Sequence, residues 1–304
     1  MRITNKFDLP ECFERFDQLH AHDKGGAKYS VTEIIDSPLI PKLRALHADQ
    51  LEVDISERVF SILGTAVHNI LENGSPEGAL TERKMYIDMC DVKISGTMDL
   101  ITPLPFNKFR ISDYKTVGGY ALTLNQEPKK EWVEQLNSYC YIAEENGFDV
   151  TELEIIAIVR DWSARKWTRT NGYPEVPIVR IPIPNWGVEK QSEFLLERVK
   201  RHEGNSVKSA TCSREERWER GTQCAVHKYN KDGSLAKRAY RVCDSIAEAH
   251  AVTLDMSGES DIVRRPGKRV RCEGNYCNVA EFCPAWQAHK NNTEDIQLHT
   301  GETK

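Results

Sequence analysis

Between residues 61 and 73 apolar side chains fall at Ile62, Leu63, Ala66, Val67, Ile70 and Leu71. This is the one, three and four spacing of a helix face, and Asn73-Gly74 closes it. Three β-like runs follow at 81 to 89, 92 to 102 and 109 to 116, separated by polar or proline-containing turns, which predicts a meander. Helical spacing returns through Trp132, Val133, Leu136, Tyr139, Cys140 and Ala143, with Asn146-Gly147 as its stop, and 153 to 162 reads as a buried strand. Upstream, residues 28 to 45 open on Ser30-x-x-Glu33, a capping pattern, before an apolar run broken by Pro38 and Pro41: a short helix and a turn. The pattern predicts a compact α/β core built on a mixed sheet.

A segment dense in proline and glycine, 171 to 187, separates this core from a second region. There 187 to 203 is charged and helical in pattern, 218 to 242 reads as a hairpin turning at Lys231-Asp232-Gly233, and 245 to 255 as a helix. The expected division is a core domain over 1–185 and an accessory lobe over 186–304.

With 304 residues, 39% of them hydrophobic, the chain can bury one full core and still form such a lobe. A formal charge of -5 excludes a polycation that coats nucleic acid indiscriminately, so any such contact must be a local patch. The first sixteen residues mix charges with apolar positions, and no stretch is long and apolar enough to span a bilayer, so a cytosolic protein with no membrane partner is expected. Nine cysteines, six of them after residue 210, suit a metal site in a reducing compartment better than a disulfide framework.

The period of two puts Asp113 and Lys115 on one face of the third strand. Alone, Asp-x-Lys also suits a solvated face carrying an ion pair. One strand earlier, however, Asp99 offers a second carboxylate at a neighbouring position, and two such groups repel unless a cation such as Mg²⁺ or Mn²⁺ sits with them. Lys115 could then orient the attacking water or stabilise charge growing on a phosphate. His68 lies four residues after Gly64 on one side of the first helix, where the glycine would permit close approach. Glu82 opens the first strand in the run TERK, where an exposed edge charge is the plain alternative. Gln135 and Tyr139, one helical turn apart, could reach a phosphate or base, or Tyr139 could pack in the core.

Taken together, Gly64-x3-His68, Glu82, Gly96-x2-Asp99, Asp113-x-Lys115 and Gln135-x3-Tyr139 resemble, in content and order, the RecB-type PD-(D/E)xK nucleases. The resemblance spans about residues 28 to 162 and implies a restriction-endonuclease-like fold. It implies His68, Asp99, Asp113 and the backbone carbonyl of Tyr114 as metal ligands, Lys115 as the catalytic lysine and Glu82 beside them. The expected activity is a Mg²⁺- or Mn²⁺-dependent deoxyribonuclease, acting as an exonuclease on single-stranded DNA or DNA with free ends. The alternative is a non-catalytic adaptor that captures DNA ends in recombination or spacer acquisition, and recombination or replication proteins are possible partners.

The tail, RCEGNYCNVAEFCPAW, is similar to that of phage-encoded and CRISPR-associated exonucleases of this superfamily, which implies a four-iron cluster and, for a phage protein, the bacterial host cytoplasm. On their own terms, Cys272-x4-Cys277-x5-Cys283-Pro284 lack the tight Cys-x2-Cys hook of structural zinc and carry the proline common after an iron-sulfur cysteine. A [4Fe-4S] cluster is expected, with Zn²⁺ the alternative metal. The fourth ligand is expected to be Cys212, with Cys12 its rival, while Cys224 and Cys243 belong to the hairpin arms. Arg264, Arg265, Lys268 and Arg269 form a basic run with no acidic residue among them, the candidate phosphate-contacting loop.

Overall fold

In the computed structural model the described residues are 2–19, 23–123, 127–204, 206–207 and 209–290; the end of the expected accessory lobe, 291–304, lies outside them. In chain order the elements are β1 (Arg2–Thr4), α1 (Glu11–Leu19), β2 (Tyr29–Ser30), α2 (Val31–Ile34), α3 (Leu39–Leu46), β3 (Glu52–Asp54), α4 (Val59–Asn73), β4 (Leu80–Met89), β5 (Val92–Leu104), β6 (Lys108–Val117), α5 (Tyr120–Thr123), α6 (Lys130–Glu145), β7 (Val150–Val159), α7 (Ala164–Arg169), β8 (Ile178–Ile183) and α8 (Val188–Glu203). Then come β9 (Glu219–Arg220), β10 (Gln223–Lys228), β11 (Arg241–Cys243), α9 (Ile246–Asp255), β12 (Ser260–Arg265), β13 (Lys268–Arg269) and α10 (Val270–Glu273). Two compact units emerge, one of Met1–Pro38 with Ala48–Ser209, the other of Leu39–His47 with Ala210–Lys304.

The first unit is built on a mixed six-stranded sheet, β2-β5-β6-β7-β8, with β4 paired to β5. The meander β4-β5-β6 is antiparallel, as its alternation predicts, and β7 then adds to β6 in parallel. Helix α6 forms where its apolar spacing predicts, and it buries Leu136, Cys140, Ile142 and Ala143 against Ile94, Met98, Ile111 and Ile155 of the sheet. Each fully buried aliphatic side chain of this kind contributes roughly 1.5–3 kcal/mol. Gly96 is what lets α6 come so close, because a Cβ there would stand 3.0 Å from Cδ1 of Tyr139 and 3.1 Å from Cδ1 of Ile142. The capping box also forms: Ser30 accepts from the amide of Glu33, whose carboxylate accepts from the amide of Ser30.

Strands also fall where the sequence predicts none, β8 and β12 the longest of them. β8 lies in the proline-rich segment, where Val179, Ile181 and Ile183 pack on the core while Arg180 donates to the buried Glu154 at 2.6 and 2.9 Å. Its one proline, Pro182, is tolerated because β8 pairs on one side alone, at the end of the sheet. Helix α8 belongs to the first unit, beyond the boundary expected at 185. Leu195 and Val199 enter its core, and the buried Arg198 donates to the carbonyl of Ile34 at 2.8 Å.

In the second unit β10 pairs antiparallel with β11 and β12. The hairpin turns at the expected place, with Gly233 at φ 80°. Cys224 and Cys243 are direct cross-strand partners and pack with Val226, Ala249 and Val252. Arg264 and Arg265, expected in a loop, stand on strand β12; their run alternates poorly, but β10 supplies its ladder. Among the described residues no helix is long and apolar enough to cross a membrane.

Candidate active site

The site arises where two strands part. The β5-β6 ladder runs from Leu104 and Lys108 to Leu100 and Ser112 and stops there, while β6 continues beside β7 through Asp113, Lys115 and Val117. Asp99 and Asp113 are the next residues on either side of this fork. The amide of Tyr114, freed of a β5 carbonyl, donates to Oδ2 of Asp99 at 2.7 Å.

Helix α4 brings His68 to the fork. Its Nδ1 lies 3.5 Å from Oδ1 of Asp99 and 3.3 Å from Oε1 of Glu82, and its ring meets that of Tyr114 edge-on. Glu82 has φ 45°, a left-handed conformation that a non-glycine residue rarely adopts. It faces Asp99 in the β4-β5 register, between the paired Thr81–Leu100 and Arg83–Met98, so the kink falls opposite the buried carboxylate. Strain of this sort costs on the order of 1–3 kcal/mol and persists where its surroundings enforce it. Among the described residues, one group of three potential ligands has its ligand atoms within 4.8 Å of one another: His68, Glu82 and Asp99.

The electrostatics of this group fit a dication. Asp99 is buried, and that burial, reinforced by the carboxylate of Asp113, pushes its pKa up to about 7. The imidazole of His68 is raised by its bond to Glu82 and by the surrounding carboxylates, against an opposing effect of burial. Oxygen and imidazole donors in a negative, poorly solvated setting suit a hard or borderline divalent cation.

Asp113 and Lys115 share the α6 side of β6. Oδ1 of Asp113 accepts from Nε2 of Gln135 at 3.1 Å; its buried Oδ2 accepts no well-aligned hydrogen bond and lies 2.6 Å from Nζ of Lys115. Apart from the lysine ammonium this buried oxygen has no aligned donor, and a cation at the group just described would be a second positive partner for it. Gln135 also donates to the hydroxyl of Tyr139 at 3.0 Å. Both residues are buried, so Gln135 positions Asp113 and Tyr139 is a core residue packed on Gly96, a correction to the expectation that they contact DNA. Gly64 also departs from expectation: a Cβ there meets nothing within 4 Å, so it leaves open space instead of serving close packing.

In the second unit Cys212, Cys272, Cys277 and Cys283 line one cavity together with Arg217 and Arg269. No disulfide joins the cysteines among the described residues, and Cys12 is exposed on α1 of the first unit. Burial, and then the neighbouring Cys277 and Cys283, raise the thiol pKa of Cys272, while Arg269 and Arg217 oppose the rise. Arg269 donates to the carbonyl of Ala285 at 2.8 Å, so it braces the cysteine loop, whereas Arg264, Arg265 and Lys268 are exposed.

The family model described as PD-(D/E)XK nuclease superfamily matches residues 42–284. No curated protein matches the chain. Among solved structures it is similar to one titled "Crystal structure of SSO0001", at 17% identity and a TM-score of 0.44, over 64% of this chain and 84% of that one.

Proposed function

Because the chain belongs to the PD-(D/E)XK nuclease superfamily, we propose that it is a Mg²⁺- or Mn²⁺-dependent deoxyribonuclease of RecB type, cutting phosphodiester bonds in single-stranded DNA or at free DNA ends. The observation that carries this reading is the fork in the sheet, where Asp99 meets His68 and Glu82 while Asp113 holds Lys115 beside them.

His68, Glu82, Asp99 and Asp113 would hold the cation, with the carbonyl of Tyr114 as a further ligand; when bound, it supplies Lewis acidity toward the phosphate and lowers the pKa of a water. The residues of the chain do the rest. Gln135 fixes one oxygen of Asp113 and turns the other toward Lys115. The ammonium of Lys115 is partly exposed, within reach of an incoming phosphate, where it can orient the attacking water and offset charge developing on the phosphate oxygens. The adaptor alternative needs neither a lysine against Asp113 nor a strained Glu82 aimed at Asp99.

The four cysteines would hold a [4Fe-4S] cluster in the second unit. The missing Cys-x2-Cys hook and Pro284 after Cys283 favour the cluster, with Zn²⁺ the alternative metal. Arg217 and Arg269 would offset the charge of the thiolates.

The test is incubation of anaerobically purified protein with end-labelled linear and closed circular DNA, with Mg²⁺ or Mn²⁺. Loss of the linear substrate alone is expected, and Asp113→Ala and Lys115→Ala should each lower turnover by at least ~10²-fold while binding survives in the lysine variant. Wild-type turnover in either variant would refute the site; no digestion with any metal would leave the adaptor.

A further inference from the structure

Beside the carboxylate fork lies a second surface, on the flank of α4. Phe60, Gly64 and His68 are spaced four apart and share one flank of α4. His68 meets the metal-ligand group, Gly64 opens onto empty space, and the ring of Phe60, 56% exposed, lies 4.1 Å from the guanidinium carbon of Arg160. Two rulers place that stacked pair at the same remove from the site. Along α4 the eight residues from His68 to Phe60 span about 12 Å at 1.5 Å each. Along the sheet, Lys115 pairs with Ala157, and Arg160 lies three residues further, about 10 Å at 3.3 Å each. Either distance is that of about three stacked nucleotides at 3.4 Å apiece.

Arg160 opens a basic and aromatic segment. It runs through Trp162, Arg165, Lys166, Trp167 and Arg169 with Asp161 as its one carboxylate, in a chain whose net charge is -5. Asp161 is used internally, accepting from the amide of Gly119 at 2.6 Å and from Lys166 at 2.7 Å. Trp162 donates to the carbonyl of Pro174, and Ser163 caps α7. The segment is therefore held in place by its own polar contacts, while Arg160, Arg165, Trp167 and Arg169 are exposed, with no carboxylate paired to these arginines among the described residues. Arg165 and Arg169 stand four apart on α7, on one face. Exposed guanidinium groups beside aromatic planes are what a single strand uses: charge for its phosphates, flat faces for unstacked bases.

We propose that the open flank of α4 at Gly64, with Phe60, Arg160, Arg165 and Arg169, is a track that leads a single-stranded polynucleotide to the carboxylate fork. The proposal rests on the nuclease reading and adds the strand's path and form. A single strand is preferred to a duplex because the Phe60–Arg160 stack offers a base-sized plane that paired bases could not reach.

The experiment measures binding of fluorescent oligothymidylate, and of a blunt duplex of equal length, by anisotropy in Ca²⁺ across a salt series. It compares wild type, Phe60→Ala, and the combined variant Arg160→Gln, Arg165→Gln, Arg169→Gln. Losing three phosphate contacts should flatten the single-strand log-log salt slope by about 2 and weaken binding about tenfold or more. Phe60→Ala should weaken binding about fivefold or more with the slope unchanged. Unfolding midpoints at wild-type values will show that the fold is intact, since all four side chains are exposed. Wild-type affinity and slope in the combined variant would overturn the track, and equal loss on the duplex would overturn its single-strand character. A wild-type protein that neither binds nor cleaves DNA of either form would sink the nuclease reading itself, a result distinct from failure of the track alone.

Discussion

Replacing Asp99 with Asn should stabilise the metal-free protein at pH 8 while ending cleavage. Asp99 is 8% exposed, its one backbone donor is the amide of Tyr114, and Asp113 faces it with a second negative charge. Its pKa rises from 3.8 to about 7, burial first and Asp113 second. The unfolded chain gives up this proton near pH 4 and the folded chain near pH 7, so between those values the folded state binds more protons and stability falls as pH rises. Three units at 1.36 kcal/mol each set a ceiling of about 4 kcal/mol, fully expressed above pH 7. The raised pKa of His68 acts in the same sense, because stability from a protonated imidazole is lost as pH climbs through its folded value. Asn keeps the shape and the acceptor for Tyr114 but takes from His68 one of its anionic neighbours, leaving it Glu82. A net gain of about 2 kcal/mol at pH 8 is therefore expected, or roughly 4–8 °C at 2–4 °C per kcal/mol for a unit of this size. Thermal melts followed by circular dichroism in EDTA at pH 5 and pH 8 measure this directly. Little difference is expected at pH 5. Mn²⁺ should reverse the order at pH 8, stabilising wild type by about 2.7 kcal/mol at a hundredfold excess over its dissociation constant and the variant much less. An Asn variant no more stable than wild type at pH 8 in EDTA, or equal stabilisation of both by Mn²⁺, would refute the electrostatic reasoning.

Two further outcomes follow from the packing and from the cysteine cavity. Gly96→Ala would drive a Cβ into Tyr139 and Ile142, costing about 1–3 kcal/mol by overpacking and displacing Gln135 from Asp113; urea melts at wild-type midpoint would show that α6 does not rest on this glycine. Protein purified without oxygen should be brown and contain iron and sulfide. The colour should vanish in Cys212→Ser, Cys272→Ser, Cys277→Ser and Cys283→Ser but survive in Cys12→Ser. Bleaching by Cys12→Ser would give the fourth thiolate to α1, and a colourless preparation with stoichiometric zinc would change the metal.

Local periodicity determined much of this protein. The apolar spacing of α4 and α6, the alternation of β4 to β6, the capping box at Ser30 and the shared face of Asp113 and Lys115 depend on residues at most a few positions apart, and each is legible in the chain. The order of the motifs was equally visible. The tertiary structure decided what those residues do. Nothing in the run TERK says that Glu82 is kinked to φ 45° opposite Asp99, because the kink depends on a strand partner seventeen residues on. That Gln135 serves Asp113 and not DNA follows from how deeply α6 sinks over Gly96, a matter of packing between distant segments. Strands β8 and β12 alternate too weakly to announce themselves; Glu154 and the ladder of β10 stabilise them. The flank from His68 through Gly64 to Phe60 was open to inspection as a helical spacing. Its bearing as a surface came from Arg160, a hundred residues away in sequence and brought to Phe60 where β7 ends, because strand pairing and core packing set which side chains meet and local pattern does not.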